Sequence, residues 1–170
     1  MNFRIEPITA DHLEQCVEVF VAAFTKPDHY AWRPDDVRIR LIDLWNEPKR
    51  VGLIALDCTD GPEATTTMSG FTIGNLVQVA DGPALRIGEL CVHPSRQGYG
   101  LGSRLLLGME ELARESGAHS AYLTVQPDSI DFCQRLGYQR QEEWISMGRR
   151  LSEPETPEEV QAVEELSPEP

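Results

Sequence analysis

A carboxylate on an apolar strand, followed within ten positions by the first of three alternate glycines, is the part of this 170-residue chain best suited to chemistry. The run reads Glu89, Leu90, Cys91, Val92, His93, Pro94, Ser95, Arg96, Gln97, Gly98, Tyr99, Gly100, Leu101, Gly102, Ser103, and then continues as an amphipathic stretch. Glycine lets the backbone turn tightly and lets a bound group come close. The free amides at the start of the following helix face outward and favour an anion. Strand, glycine turn and helix start together read as a seat for a phosphate or pyrophosphate, with a purely structural turn as the alternative. The Walker pattern is excluded because no Lys follows the glycines. A dinucleotide fingerprint is excluded by position, since it belongs after the first strand and this turn follows the fourth.

The elements that must hold this turn can be read from periodicity. Residues 3–8 predict a strand, and a helix follows over 11–24 with Asp11 as its cap and Leu13, Val17, Phe20, Val21 and Phe24 on one face. Pro27 breaks it, and a second helix is predicted over 34–45 with Val37, Leu41 and Leu44 inward. Strands are predicted over 51–56 and 68–79, paired as a hairpin across the turn-rich stretch around Asp60-Gly61-Pro62, and a further strand over 85–92 leads into the glycine turn. The helix over 100–116 carries Leu101, Leu105, Met109 and Leu112 as its core stripe, and Gly117 ends it. A strand over 120–125 makes a parallel pair with a right-handed crossover. A short helix over 128–136 and an alternating stretch over 138–149 complete the order β-α-α-β-β-β-α-β-α-β, without an internal repeat.

Length and a 41% apolar share suit one soluble domain over residues 1–151. No stretch is long enough to cross a bilayer, and the N-terminus lacks the regions of a signal peptide, so the expected location is the cytoplasm. Cys16, Cys58, Cys91 and Cys133 are far apart and form no C-x-x-C pair, which argues against a disulfide framework or a metal site. Net charge is −13, from 28 acidic against 15 basic residues. Residues 152–170 hold seven glutamates and no Lys or Arg, and read as a disordered acidic tail, in which Val160, Val163 and Leu166 offer at most one amphipathic turn. The acidic balance argues against nucleic acid and suits a cationic or amine-bearing acceptor.

The segment Gln97-Gly98-Tyr99-Gly100-Leu101-Gly102 resembles the Q/R-x-x-G-x-G/A signature of the GNAT (GCN5-related) N-acetyltransferases. The preceding Leu90-Cys91-Val92-His93-Pro94 strand end, the element order and Phe132-Cys133-Gln134-Arg135-Leu136-Gly137-Tyr138, similar to the family's F-Y-x-x-x-G-F segment, extend the likeness over residues 2–150. Ala23-Phe24, Pro27, Trp32 and the Leu53 region resemble the aminoglycoside-6′-acetyltransferase-like branch more loosely. The resemblance implies an α/β (α+β) fold with a mixed, mostly antiparallel sheet, a central parallel pair and flanking helices. It implies acetyl-CoA as cosubstrate and direct acetyl transfer to an amine of a small molecule or peptide, with no nucleic acid or membrane as partner and a homodimer admissible. The amides from Gly98 to Ser103 would hold the CoA pyrophosphate, with Gln97 opening that loop, and the edge of Leu90, Cys91 and Val92 would bond the pantetheine as an added strand. Gln126 occupies a slot often filled by Asn, another cofactor contact.

A protonated amine has no lone pair, and a carboxylate acting directly or through water can remove its proton. Glu89, on the strand that would hold the thioester, is the candidate base or acceptor anchor; a solvated strand carboxylate is the alternative. The amide of Cys91 or Val92 can polarise the carbonyl. The family's usual Tyr, the acid for the departing thiolate, is replaced by Cys133. A thiol with a pKa of about 8.5 is protonated at neutral pH, but it is a weak donor, and the other reading is a small buried hydrophobe; water or Tyr122 can substitute. Asp28, His29, Tyr30 and Trp32 lie between the first two helices, where an aromatic, acidic lip would suit a cation, or where Tyr30 and Trp32 pack under the loop. His93 and Tyr138 read as structural, and Cys16 and Cys58 as core. A non-catalytic acyl-CoA-binding module and an interaction protein acting through the acidic tail are the rival functions.

Overall fold

The computed structural model describes residues 2–25, 31–58 and 66–141. Five strands form one sheet in chain order: β1 (Asn2–Pro7), β2 (Arg50–Cys58), β3 (Thr66–Val79), β4 (Gly82–Val92) and β5 (Ser120–Leu123). The first three pairings are antiparallel and β4 with β5 is parallel. A parallel pair needs a crossover, and α3 (Leu101–Glu115) supplies it. Helices α1 (Leu13–Phe24) and α2 (Pro34–Asn46) lie between β1 and β2 in the chain, and α4 (Ile130–Arg135) follows β5. This mixed, mostly antiparallel sheet with one parallel pair and flanking helices is the predicted fold class.

The alternation of β2 shows how the sheet is covered on both faces. Ile54 and Leu56 enter one buried cluster with Cys16, Val17, Phe20, Val37 and Leu41 of α1 and α2. Leu53 and Ala55 enter a second cluster with Leu101, Leu105, Leu106 and Met109 of α3. The glycine turn and its helix thus sit on one face, and α1 and α2 on the other.

Two predicted details differ. Asp11 does not cap α1. Thr9 instead caps the single 3-10 turn (Ala10–His12) that leads into α1, where the Thr9 amide donates to His12 Nδ1 at 3.0 Å. A His side chain can close the reciprocal cap usually made by Glu or Gln, so the polar residue nearest the apolar run is not needed. Of the predicted α1 face, Val17 and Phe20 are buried and Val21 and Phe24 pack against the same cluster, which Cys16 and Val19 join, while Leu13 is half-buried and outside it. The predicted stretch over 138–149 and the acidic tail lie, beyond residue 141, outside the described residues. The chain divides into two units, Met1–Tyr138 and Gln139–Pro170, of which the second is described only at 139–141. Among the described residues no helix is long and apolar enough to cross a membrane.

One irregularity decides what β4 presents. Ile73 pairs with Glu89 and the next residue, Gly74, pairs with Ile87, so Gly88 is an extra residue bulged out of β4. Leu85 and Ile87 pack on the α3 face. Unbroken alternation would put Glu89 and Cys91 there too. The bulge reverses the sense, so Cys91 packs with α1 while Leu90 and Val92 take the α3 face. Opposite the bulge, a Cβ on Gly74 would lie 2.2 Å from the Arg86 carbonyl oxygen. Gly74→Ala must therefore move backbone, and we expect it to lose about 2 kcal/mol or more in denaturant unfolding; an unchanged midpoint would refute this register.

Candidate active site

The bulge ends the contact between β4 and β5. Their ladder runs from Ala84 and Ser120 to Ile87 and Leu123, whereas β4 stays paired to β3 as far as Val92. Among the described residues, the β5-facing edge of Leu90, Cys91 and Val92 has no strand beside it. Such an edge can accept an extended ligand as an added strand.

That edge runs into the glycine turn. Pro94–Arg96 form one 3-10 turn, held by His93, whose Nδ1 accepts from the Ser95 amide at 3.3 Å and whose own amide donates to Ser69 at 2.8 Å. His93 is structural. Gln97 is a strut as well: its amide donates to the Pro94 carbonyl and its side-chain Nε2 donates to the Val92 carbonyl at 3.1 Å. Gly98 and Gly100 then take φ of 81° and 76°, which L side chains rarely adopt, and a Cβ on either would meet nothing within 4 Å. Both glycines serve the path of the chain and leave the space above it clear. Gly102 serves packing, because a Cβ there would lie 3.3 Å from the Phe132 ring.

Gly100 is the N-cap of α3, no side chain caps this end, and the first intrahelical bond is the one from the Arg104 amide to the Gly100 carbonyl. The amides of Leu101, Gly102 and Ser103 therefore remain for a ligand, as the start of a 15-residue helix dictates. Leu101 itself is buried in the core and Tyr99 is exposed. Cleared space, left-handed glycines and uncapped amides fit a diphosphate. The turn is also tied from behind: Arg96 Nε and an NH2 nitrogen reach Asp57 Oδ2 of β2 at 2.8 and 2.7 Å. Neither Arg96 nor Asp57 stood out in the sequence, because 39 positions separate them.

Glu89 is not a solvated carboxylate. It is 8% exposed and pairs with Arg40 of α2, whose Nε lies 2.5 Å from Glu89 Oε1 and whose NH2 group also contacts that oxygen. Burial pushes its carboxyl above the usual carboxylate range, more than the Arg40 charge pulls it down. Beside it opens a cleft of about 600 Å³ between α2 and the parting strands, with Gly88, Tyr122 and Thr124 on the sheet side. The α2 side carries Asp36, Arg40 and Asp43, spaced along one helix face, with Glu47 just past the helix end. Arg86 also lines the cleft and donates to Glu47 at 2.8 Å and Asn75 at 2.9 Å. Among the described residues, Asp43 makes no ion pair.

The sequence family follows from residues 13–138, which match the acetyltransferase (GNAT) family. The chain belongs to that family. It is an N-acetyltransferase that uses acetyl-CoA. No curated protein matches the sequence as a close relative. Solved structures share the fold at low identity. A Trypanosoma brucei acetyltransferase is 17% identical, covers 87% of this chain and 100% of its own, with a TM-score of 0.63. Glucosamine-6-phosphate N-acetyltransferase from Arabidopsis thaliana is 14% identical over 89% of this chain and 100% of its own, with a TM-score of 0.64. Aminoglycoside N-acetyltransferase AAC(6′)-Iy, in complex with CoA, is 17% identical over 88% of this chain and 95% of its own, with a TM-score of 0.65.

The other sequence candidates are placed unevenly. Cys133 is 5% exposed on α4, does not line the cleft, and burial raises its thiol further. Tyr122 does line it. Gln126 is exposed and precedes the 3-10 turn Pro127–Ser129. Trp32 stands edge-on to Phe20 at 5.3 Å and packs on the α1–α2 cluster, away from the cleft wall. Asp28, His29 and Tyr30 lie outside the described residues.

Two substitutions separate these parts. Gly100→Val, which strains a left-handed position and fills the cleared space, should weaken CoA binding at least about tenfold, the equivalent of 1.4 kcal/mol, by calorimetry. Asp57→Asn should weaken it less while leaving turnover at saturating CoA intact; equal affinity in all three proteins would show that the turn is not the anion seat.

Proposed function

We infer that the protein acetylates a primary amine on a small, cationic molecule by direct attack on acetyl-CoA. One observation carries this reading: the freed β4 edge joins an amide-lined turn at one end to a carboxylate-walled cleft at the other. The cosubstrate supplies an acetyl thioester. The amides of Leu101, Gly102 and Ser103 and the chain from Gly98 hold its diphosphate, and the backbone of Leu90, Cys91 and Val92 holds its arm. A main-chain amide of Cys91 or Val92 is the donor for the developing oxyanion.

The acceptor reaches this point from the cleft. Arg40 and Arg86 are each matched by a carboxylate, Glu89 and Glu47, and Arg33 is matched by Asp36 at 3.2 Å. The charge left over is negative, with Asp43 unmatched. That wall, in a chain of net charge −13, attracts cations and disfavours anionic acceptors. Glu89 takes the proton of the ammonium, directly or through a water. The nitrogen lone pair then attacks the carbonyl carbon, the C–S bond breaks, and the thiolate takes a proton. Tyr122 is the donor assigned to that last step, and Cys133 is assigned to packing.

The base works only when ionised, so its activity is lost as pH falls through a pKa raised above the ordinary carboxylate value. Thiol release from acetyl-CoA over a panel of polyamines, aminoglycosides, amino acids and peptide N-termini should show turnover on polycationic small molecules first. Glu89→Gln should cut kcat/KM by about 100-fold or more and remove the acid limb of the profile. Cys133→Ala should stay near wild type while Tyr122→Phe falls by a smaller factor than Glu89→Gln. CoA binding without turnover on any amine would instead favour an acyl-CoA-binding module.

A further inference from the structure

Glu89 does not itself form part of the cleft wall, whereas Arg40 does. The guanidinium therefore stands between the candidate base and the space an acceptor would occupy. Its own side chain is 47% exposed against 9% for that of Glu89, so one partner is fixed in the fold and the other reaches over it from solvent. Two guanidinium nitrogens share a single carboxylate oxygen, Oε1, which leaves Oε2 outside the ion pair. We propose that Arg40 is a positioning residue for acetyl transfer, orienting the Glu89 carboxylate behind the cleft wall through Oε1 and keeping it the charged proton acceptor.

The placement of this pair is set by backbone features rather than by chance contact. Gly88 is bulged, and a Cβ on it would lie 2.7 Å from Leu44 Cδ2, so α2 comes down on β4 at that residue. Arg40 stands one helical turn before Leu44 and so falls over Glu89. Few groups compete with it. From β3, Ile73 lies opposite Glu89 and Thr72 Oγ1 donates to the Glu89 carbonyl at 3.0 Å. From β4 and α1, Cys91 and Cys16 are buried thiols. From α2, Asp36 and Asp43 flank Arg40 along the cleft, Glu47 pairs with Arg86, and Tyr122 closes the β5 side. Arg40 is thus the one cation on the Glu89 carboxylate among the described residues. A guanidinium stays protonated throughout, so it cannot take the ammonium proton and can only present the oxygen that does.

The inference rests on the reading of Glu89 as base, and the test separates the two. Full-length protein carrying carboxyl-13C glutamate is titrated by NMR, with the Glu89 resonance identified as the one absent from Glu89→Gln. Removal of the Arg40 charge in Arg40→Gln should raise the pH at which Glu89 titrates by about one unit or more, and Arg40→Lys, which keeps a point charge, should fall between. The acid limb of thiol release with acetyl-CoA and spermidine should move with it. An unmoved Glu89 titration in Arg40→Gln overturns the proposal and leaves Arg40 as a tie between α2 and the sheet, visible only as a lower thermal midpoint. If Arg40→Gln does not fold, the Lys variant decides by the same titration. If Glu89→Gln removes the acid limb but Arg40→Gln leaves it in place, the base stands and only the role of Arg40 falls. If Glu89→Gln keeps the limb, the base reading falls, and the role of Arg40 in the reaction falls with it.

Discussion

The site depends on one extra residue in a strand. Gly88 adds a position to β4 with no counterpart on β3, and two consequences follow from that single step. The facing of every later residue is reversed, which sends Glu89 toward α2 rather than into the α3 core. The strand also bends at that point, and the ladder to β5 stops one residue earlier, at Ile87. A regular strand would have buried a carboxylate against Leu101 and Leu105 with no cation near it, at a cost of several kcal/mol, and would have left no gap between the parallel strands. The same glycine, having no side chain, admits Leu44 and so fixes how closely α2 approaches. Candidate base, cleft and covering helix are therefore one geometric problem with one solution.

The glycine turn solves a different problem with three residues of unlike duty. Gly98 and Gly100 are required by backbone angle, and the space where their side chains would stand is empty. Gly102 has ordinary helical geometry and is required by the Phe132 ring instead. An alternating glycine pattern is thus a superposition of a turn constraint and a packing constraint. The turn is then braced on both sides by bonds that use up its non-functional groups: Gln97 on the Val92 carbonyl and Arg96 on Asp57. What remains unbonded is the set of amides at the start of α3. An anion seat made of main-chain groups must be rigid before the ligand arrives, because its donors cannot swing to find it.

Local rules made the helices, the strand order and the turn legible, since periodicity and glycine spacing are properties of neighbouring residues. Val37 and Leu41 of α2, and Leu101, Leu105 and Met109 of α3, are buried as their spacing requires. The failures share a cause of the opposite kind. His12 closing the cap on Thr9 depends on a side chain rarely used that way, and it took the place of the expected Asp11 cap. The bulge cannot be seen in β4 alone, because an extra residue is defined only against β3. Arg40 lies 49 positions from Glu89, and Arg96 lies 39 from Asp57, so neither pair has a sequence signal. Glu89 was legible as a candidate but its burial was not, since alternation gives a side of the sheet and says nothing about what covers it.

The replacement of the family's usual Tyr by Cys133 bears on how much acid catalysis the reaction needs. A buried phenol requires a partner for its hydroxyl, and a cysteine does not, so the swap removes a polar group from α4 without leaving one unsatisfied. The neighbouring phenol does not make up for it: Tyr138 donates to Glu110 at 2.7 Å, and burial with that carboxylate pushes its acidity well below the ordinary range, so its proton is held. The leaving group is itself a thiolate, whose conjugate acid has a pKa of about 8.5. At neutral pH it departs with little need of a proton in the transition state, unlike an alkoxide. Removal of the ammonium proton is then the more demanding transfer, and Glu89, buried beside the cleft, is the carboxylate proposed for it.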